Sequence, residues 1–483
     1  MPDIIKNKAF FIIFLVSATI FVASLYKRVI TFDDAFFAEQ AFWVTKTGYS
    51  RSELFNSVLD WGDRQYVYHK LHVWQNALIT QYLGWSAYFF KAAPILYLLV
   101  FIFSAHFYYK RYLSPENPES FYLFLSLLLI NTYIVHFGFE SRPEIMMMCV
   151  GFLSFLFIRY GLQIERKSYL FLSGLLAGTA ALFHLNGLIY IAAGVGLIIY
   201  MRQYRYLPIF ILSASIIAAL YWYEMIVNNA IATGISQLVN DPAVSSDGLS
   251  TKNFILKIFS APRRFASHLF DFSYLLLLVL SLYLYRYTLK NNYEVKLLLV
   301  YFIVSEVTLA IISPGGKTMY LVLHMPFVLL IVSSLHNTIA SKSIKRTMLV
   351  AFSFYAITQV GHVIGLIKQS NSEIIQQHAQ VVEKYQIGKS DKIIAPTVFI
   401  FNEIGNARIT SNHMFRLLAR NGKFIFTSEN IFNYAQQHDY KYLILETDFL
   451  PEFSSADLSP DRLYFGYRLI GADFGYYIFR SAT

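Results

Sequence analysis

Two adjacent carboxylates, Asp33 and Asp34, come directly after the first long apolar stretch of the chain. Partial burial raises the pKa of a carboxyl group towards neutrality, so either residue could serve as a general base. An acidic pair is equally typical of a helix start, where aspartate caps the helix and complements its dipole. The residues alone leave both interpretations open, and they do not decide between Asp33 and Asp34 as the base.

A guanidinium lies in a second polar motif, Glu140-Ser141-Arg142-Pro143-Glu144, which separates two apolar stretches. Pro143 suits the first turn of a helix, and Glu144 complements the helix dipole there. Arg142 can bind a phosphate group through two parallel hydrogen bonds. The alternative is an arginine that anchors a helix end among the lipid headgroups.

Polar groups interrupt the apolar stretches at two further places. His184 and Asn186 lie between two such stretches, while Lys317 and Tyr320 follow a Gly-Gly turn. Histidines of this kind often only pack, and loop cations often only contact headgroups. The predicted donor-phosphate ligands are Arg142, Lys317, Lys70, Arg263 and Arg264, and the predicted substrate contacts are Glu144, His184, Asn186, His69 and Tyr320. No spacing predicts a metal site, although His184 and the carboxylates leave a divalent cation open.

The elements that must position these residues are membrane helices. Of the 483 residues, 56% are hydrophobic and 14% are charged, whereas a soluble domain carries about a quarter charged residues. The apolar residues form blocks of roughly 18–22, which is the length of a spanning helix. Backbone groups in lipid must pair within the chain, and period-2 alternation is absent, so helices are predicted. About eleven spanning helices are expected, near 8–29, 87–109, 120–137, 143–160, 168–184, 187–202, 206–227, 270–288, 295–312, 318–338 and 346–368.

Basic residues in short loops set the predicted orientation. The net charge is +10, and Lys and Arg concentrate in alternate loops, which the positive-inside rule places in the cytoplasm. The N-terminus is then cytoplasmic, and a first loop of about residues 30–86, rich in aromatic side chains, lies outside. Within it, the apolar stretch Leu71–Leu83 is too short to span and is predicted to lie in the interface.

The composition changes after about residue 370, which predicts a transmembrane module at 1–370 and a small extracytoplasmic α/β domain at 371–483. Expected strands are Lys392–Phe401 and Tyr442–Leu445, expected helices are Ser372–Tyr385 and Glu429–His438, and Gly471–Phe479 is expected to close a hairpin. Gly174 and Gly178 form a small-xxx-small pattern, which is typical of close helix packing.

All of the polar clusters fall on one face of the membrane under this orientation. A carboxylate base, cations for a phosphate leaving group and an interfacial aromatic surface suit one reaction. The base takes a proton from an acceptor, the acceptor attacks the anomeric carbon of a sugar, and the cations stabilise the departing lipid phosphate.

In these residues the sequence resembles the GT-C glycosyltransferase superfamily, and within it the branch of protein O-mannosyltransferases and aminoarabinose transferases of lipid A (glycosyltransferase family 39-like). Its acidic pair after the first span resembles Asp33-Asp34, and its Arg-Pro-Asp/Glu element resembles Arg142-Pro143-Glu144. Its lysine, followed by a tyrosine that leads an apolar run to a proline, resembles Lys317, Tyr320 and Pro326. The likeness covers residues 1–368.

The sequence departs from this branch at two places. His69-Lys70-Leu71-His72 lacks the two prolines that are frequent there, and Met319 stands where an arginine is frequent. The resemblance implies a polytopic α-helical GT-C-like fold and an inverting sugar transfer, either metal-independent or loosely metal-assisted.

We therefore expect a glycosyltransferase of the bacterial inner membrane that uses a polyprenyl-phosphate (undecaprenyl-phosphate) sugar donor. The acceptor is a lipid, glycan or protein on the outer face, and no nucleic acid is involved. A polymerase or ligase of surface polysaccharide would share this donor chemistry. The main alternative is a transporter or a lipid or polysaccharide flippase, which should place charges near the midplane of its spans. The best candidates for such charges, Glu224 and Glu306, lie near span ends.

Overall fold

Helices occupy most of the first 368 residues, as the apolar blocks predict. The structure is a computed structural model that describes residues 2–26, 28–113, 119–242, 259–313, 317–336, 341–368, 373–454 and 457–482. Its membrane part contains α1 (Pro2–Leu25), α2 (Phe32–Thr47), α3 (Lys70–Leu83), α4 (Ala87–Tyr108), α5 (Glu119–Leu129), α6 (Thr132–Phe137), α7 (Glu144–Gln163), α8 (Lys167–Phe183), α9 (Leu188–Tyr200), α10 (Leu207–Val227), α11 (Ile231–Val239), α12 (Leu269–Leu284), α13 (Arg286–Asn291), α14 (Tyr293–Ile312), α15 (Met325–His336) and α16 (Lys342–Lys368).

Every one of the eleven predicted spans coincides with a helix. Seven helices in the described part of the chain are long and apolar enough to cross a membrane, and four shorter apolar helices occupy the remaining predicted positions. The protein is therefore a multi-pass membrane protein. Two spans are less regular than predicted. The stretch 120–137 breaks at Asn131, whose side chain accepts hydrogen bonds from the Tyr133 and Ile134 amides and so begins a new helix. The span at 318–338 begins with the 3₁₀ turn Thr318–His324.

The first loop is folded onto α2 through a buried carboxylate. Glu39 accepts hydrogen bonds from the Ser52 hydroxyl at 2.5 Å and from the Glu53 and Leu54 amides at 2.6 and 2.9 Å. Burial raises the pKa of Glu39 to about 7. The predicted interfacial stretch forms α3, which has 14 residues, fewer than a membrane span requires.

The C-terminal region forms a six-stranded sheet in the order β2-β1-β3-β6-β5-β4. The β1 strand pairs in parallel with β2 and β3, and the other pairs are antiparallel. The strands are β1 (Lys392–Ala395), β2 (Arg408–Ser411), β3 (Tyr442–Glu446), β4 (Leu463–Tyr464), β5 (Tyr467–Asp473) and β6 (Tyr476–Ser481). The helices are α17 (Ile374–Lys384), α18 (Ile400–Glu403), α19 (His413–Arg420) and α20 (Ser428–Gln437).

The two predicted helices, the Tyr442–Leu445 strand and the terminal hairpin are confirmed. The expected strand Lys392–Phe401 is wrong beyond Ala395, because Pro396 cannot donate to the ladder and residues 397–403 turn helical. The predicted boundary near residue 370 lies at residues outside the described part of the chain, so the division into two domains stays a prediction.

The sheet packs on the first loop and on the N-terminal end of α4. The Ser411 amide donates to the Leu54 carbonyl at 2.9 Å, and the Trp85 indole donates to the Phe401 carbonyl at 3.2 Å. Phe55 from the loop belongs to the same buried apolar cluster as the residues of the sheet. Because Ser411 lies two residues before α19, this contact holds the start of that helix next to the loop.

The small-xxx-small pattern lies at a close contact between α8 and α10. A Cβ atom added at Gly178 would lie 2.5 Å from the Ala214 carbonyl oxygen, and one at Gly174 would lie 1.9 Å from the Ser213 hydroxyl oxygen. Neither position can hold a larger residue unless the helices move apart.

We predict that Gly178→Ala lowers the thermal unfolding temperature in detergent, because overpacking of a close contact costs about 1–3 kcal/mol. The matched control is Gly365→Ala in α16, where an added Cβ has no neighbour within 4 Å. It should leave the unfolding temperature unchanged or raise it, since alanine favours the helix. Equal stability of the two variants would contradict the packing assignment.

Candidate active site

An ion-pair triad joins the first two polar motifs. The Arg142 Nη1 donates to the Asp33 Oδ2, while its Nε and Nη2 donate to Glu144, the Nη2 at 2.7 Å from Oε1. Asp33 lies in the first turn of α2 and Glu144 begins α7, so the pair joins segments more than 100 residues apart in sequence. Burial raises the pKa of the Asp33 carboxyl, and the guanidinium opposes that rise.

Asp34 points away from this pair and is completely buried. Its Oδ2 accepts hydrogen bonds from the Lys91 ammonium at 2.7 Å and from the Thr31 amide at 2.8 Å, and its Oδ1 accepts one from the Ser141 amide at 2.7 Å. The Thr31 hydroxyl in turn accepts from the Asp34 amide, which completes a capping box. A carboxylate whose two oxygens both already accept hydrogen bonds from the protein is poorly placed to take a proton from a substrate.

A cavity of about 420 Å³ opens beside Asp33. Its walls come from α2, from the loop after it, from the turns at 142 and 184–186, and from the segment 317–320. Leu417 of α19 also lines the cavity, so the C-terminal region contributes to its wall. The predicted site residues that line it are Asp33, His69, Arg142, His184, Asn186, Lys317 and Tyr320.

Two stacked imidazoles form a neutral part of the cavity wall. The rings of His69 and His184 have their centroids 4.4 Å apart. Burial lowers the pKa of His184 to about 4 and that of His69 well below its usual range, so both rings are uncharged near neutral pH. The His184 Nδ1 accepts a hydrogen bond from the Asn186 amide, which leaves its proton on Nε2, 3.4 Å from the Tyr320 hydroxyl.

Three predicted phosphate ligands lie outside this cavity. Lys70 lines a separate pocket and pairs with Glu224 at 2.6 Å. Arg264 is buried with its Nη1 3.5 Å from Glu306, and Arg263 is exposed. Their roles as donor-phosphate ligands stay predictions.

The residue most clearly missed by the sequence reasoning is Lys91. An ionisable residue inside an apolar span is a functional candidate by default, and this rule would have identified it. A second omission is the role of Glu140, which accepts a hydrogen bond from the Thr31 hydroxyl at 2.8 Å. Burial raises the pKa of Glu140 to about 8.

No group of three or more His, Cys, Asp or Glu side chains in the described part of the chain is arranged to hold a metal ion. The possible divalent cation stays a prediction.

Comparisons with solved structures identify the fold. ArnT from Cupriavidus metallidurans in the apo state matches with a TM-score of 0.64 and 12% identity over 98% of both chains. The same protein bound to undecaprenyl phosphate matches with a TM-score of 0.62 and 11% identity over 97% of both. The archaeal oligosaccharyltransferase AglB from Archaeoglobus fulgidus, in complex with an inhibitory peptide and a dolichol-phosphate, gives a TM-score of 0.52 and 10% identity over 92% of this chain and 70% of that one.

The chain has the GT-C fold. The match covers the sheet as well as the helices, so the C-terminal region belongs to the shared architecture. No protein-family model and no curated protein sequence matches the chain. The GT-C resemblance drawn from the polar motifs is thus confirmed for the fold by structure.

We predict that Lys91→Met strongly destabilises the protein, because it leaves the buried Asp34 charge unpaired, at a cost of about 3–5 kcal/mol. The double variant Asp34→Asn/Lys91→Met should lose much less stability, since neither member of the pair is then charged. Unfolding in detergent measures both. Lys46→Met, an exposed lysine on α2, is the control, and a Lys91→Met protein as stable as that control would contradict this assignment.

Proposed function

We propose that this protein is an inverting glycosyltransferase that moves a sugar from a polyprenyl-phosphate-linked donor to an acceptor at the membrane boundary. The observation that carries the proposal is the pairing of Asp33 with Arg142 at the wall of one cavity that Lys317 also lines. A base and two cations around one enclosed space are what the transfer requires.

The proposed reaction is a single displacement. The acceptor's nucleophilic group loses its proton to the free oxygen of the Asp33 carboxylate as it attacks the anomeric carbon. The bond between that carbon and the phosphate oxygen breaks, and polyprenyl phosphate departs with the electron pair. Arg142 and Lys317 stabilise the negative charge on the leaving phosphate.

Asp33 is the base in this scheme because of how Arg142 is shared. Two nitrogens of the guanidinium serve Glu144 and one serves Asp33. The triad holds two carboxylates against one cation, so Asp33 is incompletely neutralised. Burial raises its pKa, which strengthens it as a base near neutral pH.

The fold supports the choice of donor. The ArnT structure contains undecaprenyl phosphate and the AglB structure contains a dolichol-phosphate, so this architecture holds polyprenyl-phosphate carriers in those proteins. The proposed location is a bacterial inner membrane with the cavity on the outer side. The acceptor is a lipid, a glycan or a protein.

We predict that Asp33→Asn lowers turnover at least about 100-fold, because a general base contributes about 10²–10⁴ to the rate. The assay supplies polyprenyl-phosphate sugars and a mixture of lipid, glycan and peptide acceptors to the purified protein, and measures release of polyprenyl phosphate. The matched control is Asp439→Asn, an exposed aspartate whose positive φ asparagine tolerates. It should keep the wild-type rate.

Two results would count against the proposal. Wild-type turnover in a folded Asp33→Asn protein would remove Asp33 as the base. Lipid movement across vesicles without cleavage of the sugar–phosphate bond would favour a transporter instead.

A further inference from the structure

Three buried polar side chains on one part of the cavity wall have atoms without a hydrogen-bond partner. They are Gln40 on α2 and Trp61 and Gln65 in the following loop, and all three line the cavity beside Asp33. Their exposed fractions are 0%, 5% and 3%. Within the described part of the chain, both amide atoms of Gln40, the amide oxygen of Gln65 and the indole nitrogen of Trp61 have no partner.

Such atoms require an explanation, because a buried polar group without a partner destabilises the folded protein. For Gln40, the lack of partners does not depend on how its side-chain oxygen and nitrogen are assigned. Exchanging its oxygen and nitrogen would leave both atoms unpartnered all the same. The three residues, which we call the amide–indole cluster, line the cavity and together carry at least two donors and two acceptors that have no partner in the described part of the chain.

The cluster is held in place before any ligand arrives. The backbone N–H of Gln65 donates to the Ser50 carbonyl at 2.8 Å, and the backbone N–H of Ser52 donates to the Trp61 carbonyl at 2.8 Å. Gln237 of α11 clamps the same loop, with its side-chain nitrogen donating to the Leu59 and Arg64 carbonyls. Backbones fixed in this way lose little freedom on binding, which favours specific recognition.

The chemistry of the cluster indicates its ligand. Gln40, Trp61 and Gln65 carry no charge, so this wall does not favour an ionic group. Amides both donate and accept hydrogen bonds, as hydroxyl groups do. The Phe36 ring, 6.1 Å from that of Trp61, adds an apolar surface beside the polar atoms.

We propose that the amide–indole cluster binds the hydroxyl groups of a neutral sugar. This inference rests on the proposed function and specifies it, since the charged wall with Asp33 and Arg142 would face the reacting carbon and the phosphate. Two sources share this chemistry: the donor's sugar and a sugar of the acceptor.

The test compares the wild type with Gln40→Met and Gln65→Met, which keep the side-chain size and remove the amide. The probes for binding are a polyprenyl-phosphate hexose and polyprenyl phosphate without a sugar. If the cluster holds the donor sugar, each variant should bind the hexose-bearing carrier about tenfold more weakly and the bare carrier unchanged. If it holds the acceptor sugar, donor binding is unaffected and the KM for a neutral oligosaccharide acceptor rises about tenfold.

Thermal unfolding without substrate separates a binding role from a structural one, because the two roles predict shifts of opposite sign in the unfolding temperature. Removing an unpartnered buried amide should raise the unfolding temperature of Gln40→Met or leave it unchanged, whereas loss of a structural hydrogen bond would lower it. The matched control is Gln81→Met on the exposed side of α3, which should change neither binding nor KM.

The outcomes separate the inference from the proposed function. If the wild type neither binds nor cleaves the donor, the proposed function fails. If the wild type is active and the Met variants keep every binding constant and KM, or lose only stability, the inference alone is wrong. A rise confined to the KM of a peptide acceptor would also overturn it.

Discussion

The buried Asp34 carboxylate is the constraint on which the geometry of the site depends. It receives the Lys91 ammonium from α4, the Thr31 amide from the start of α2 and the Ser141 amide from the turn before α7. Asp33 is its neighbour in sequence, and Arg142 is the neighbour of Ser141. When the Ser141 backbone amide donates to Asp34, the adjacent residues Arg142 and Asp33 are brought together as an ion pair. The interior charge is balanced by Lys91, and the balance holds only while all three segments stay together.

The same segments give the cavity two walls of different character. One wall carries Asp33, Arg142 and Lys317, which suit a proton transfer and a departing phosphate. Another carries Gln40 and Trp61, which are uncharged and hydrogen-bonding. Because α2 contributes to both, a rotation of this single helix would disturb the proposed base and the proposed sugar contacts together. The capping box at its start and the Glu39 carboxylate in its middle oppose that rotation.

The helices could be predicted from the sequence because lipid imposes a minimum apolar length, and all eleven blocks became helices. Helix breaks such as the one at Asn131 were harder to predict, because one polar residue in an apolar stretch has little effect on the mean hydropathy of that stretch. The site was only partly predictable. Asp33 and Asp34 differ by about 100° around the helix, and which of them faces the cavity depends on Lys91, 57 residues away. No local pattern contains that information. Gln40, by contrast, lies seven residues after Asp33 on the same face of α2, so helical periodicity would have identified it once this segment was known to be a helix.

The position of Glu144 gives a physical reason for a second acid beside the cation that is proposed to bind the phosphate. If Arg142 faced Asp33 alone, the guanidinium would engage it through two hydrogen bonds and hold it in its charged, weakly basic form. Glu144 is completely buried and takes the Nε and Nη2 atoms, so Asp33 receives the single remaining nitrogen. In the proposed reaction, polyprenyl phosphate leaves with its negative charge while Asp33 takes up the acceptor's proton, so Arg142 would lose part of its attraction to Asp33. Its positive charge would then become more available to the leaving phosphate.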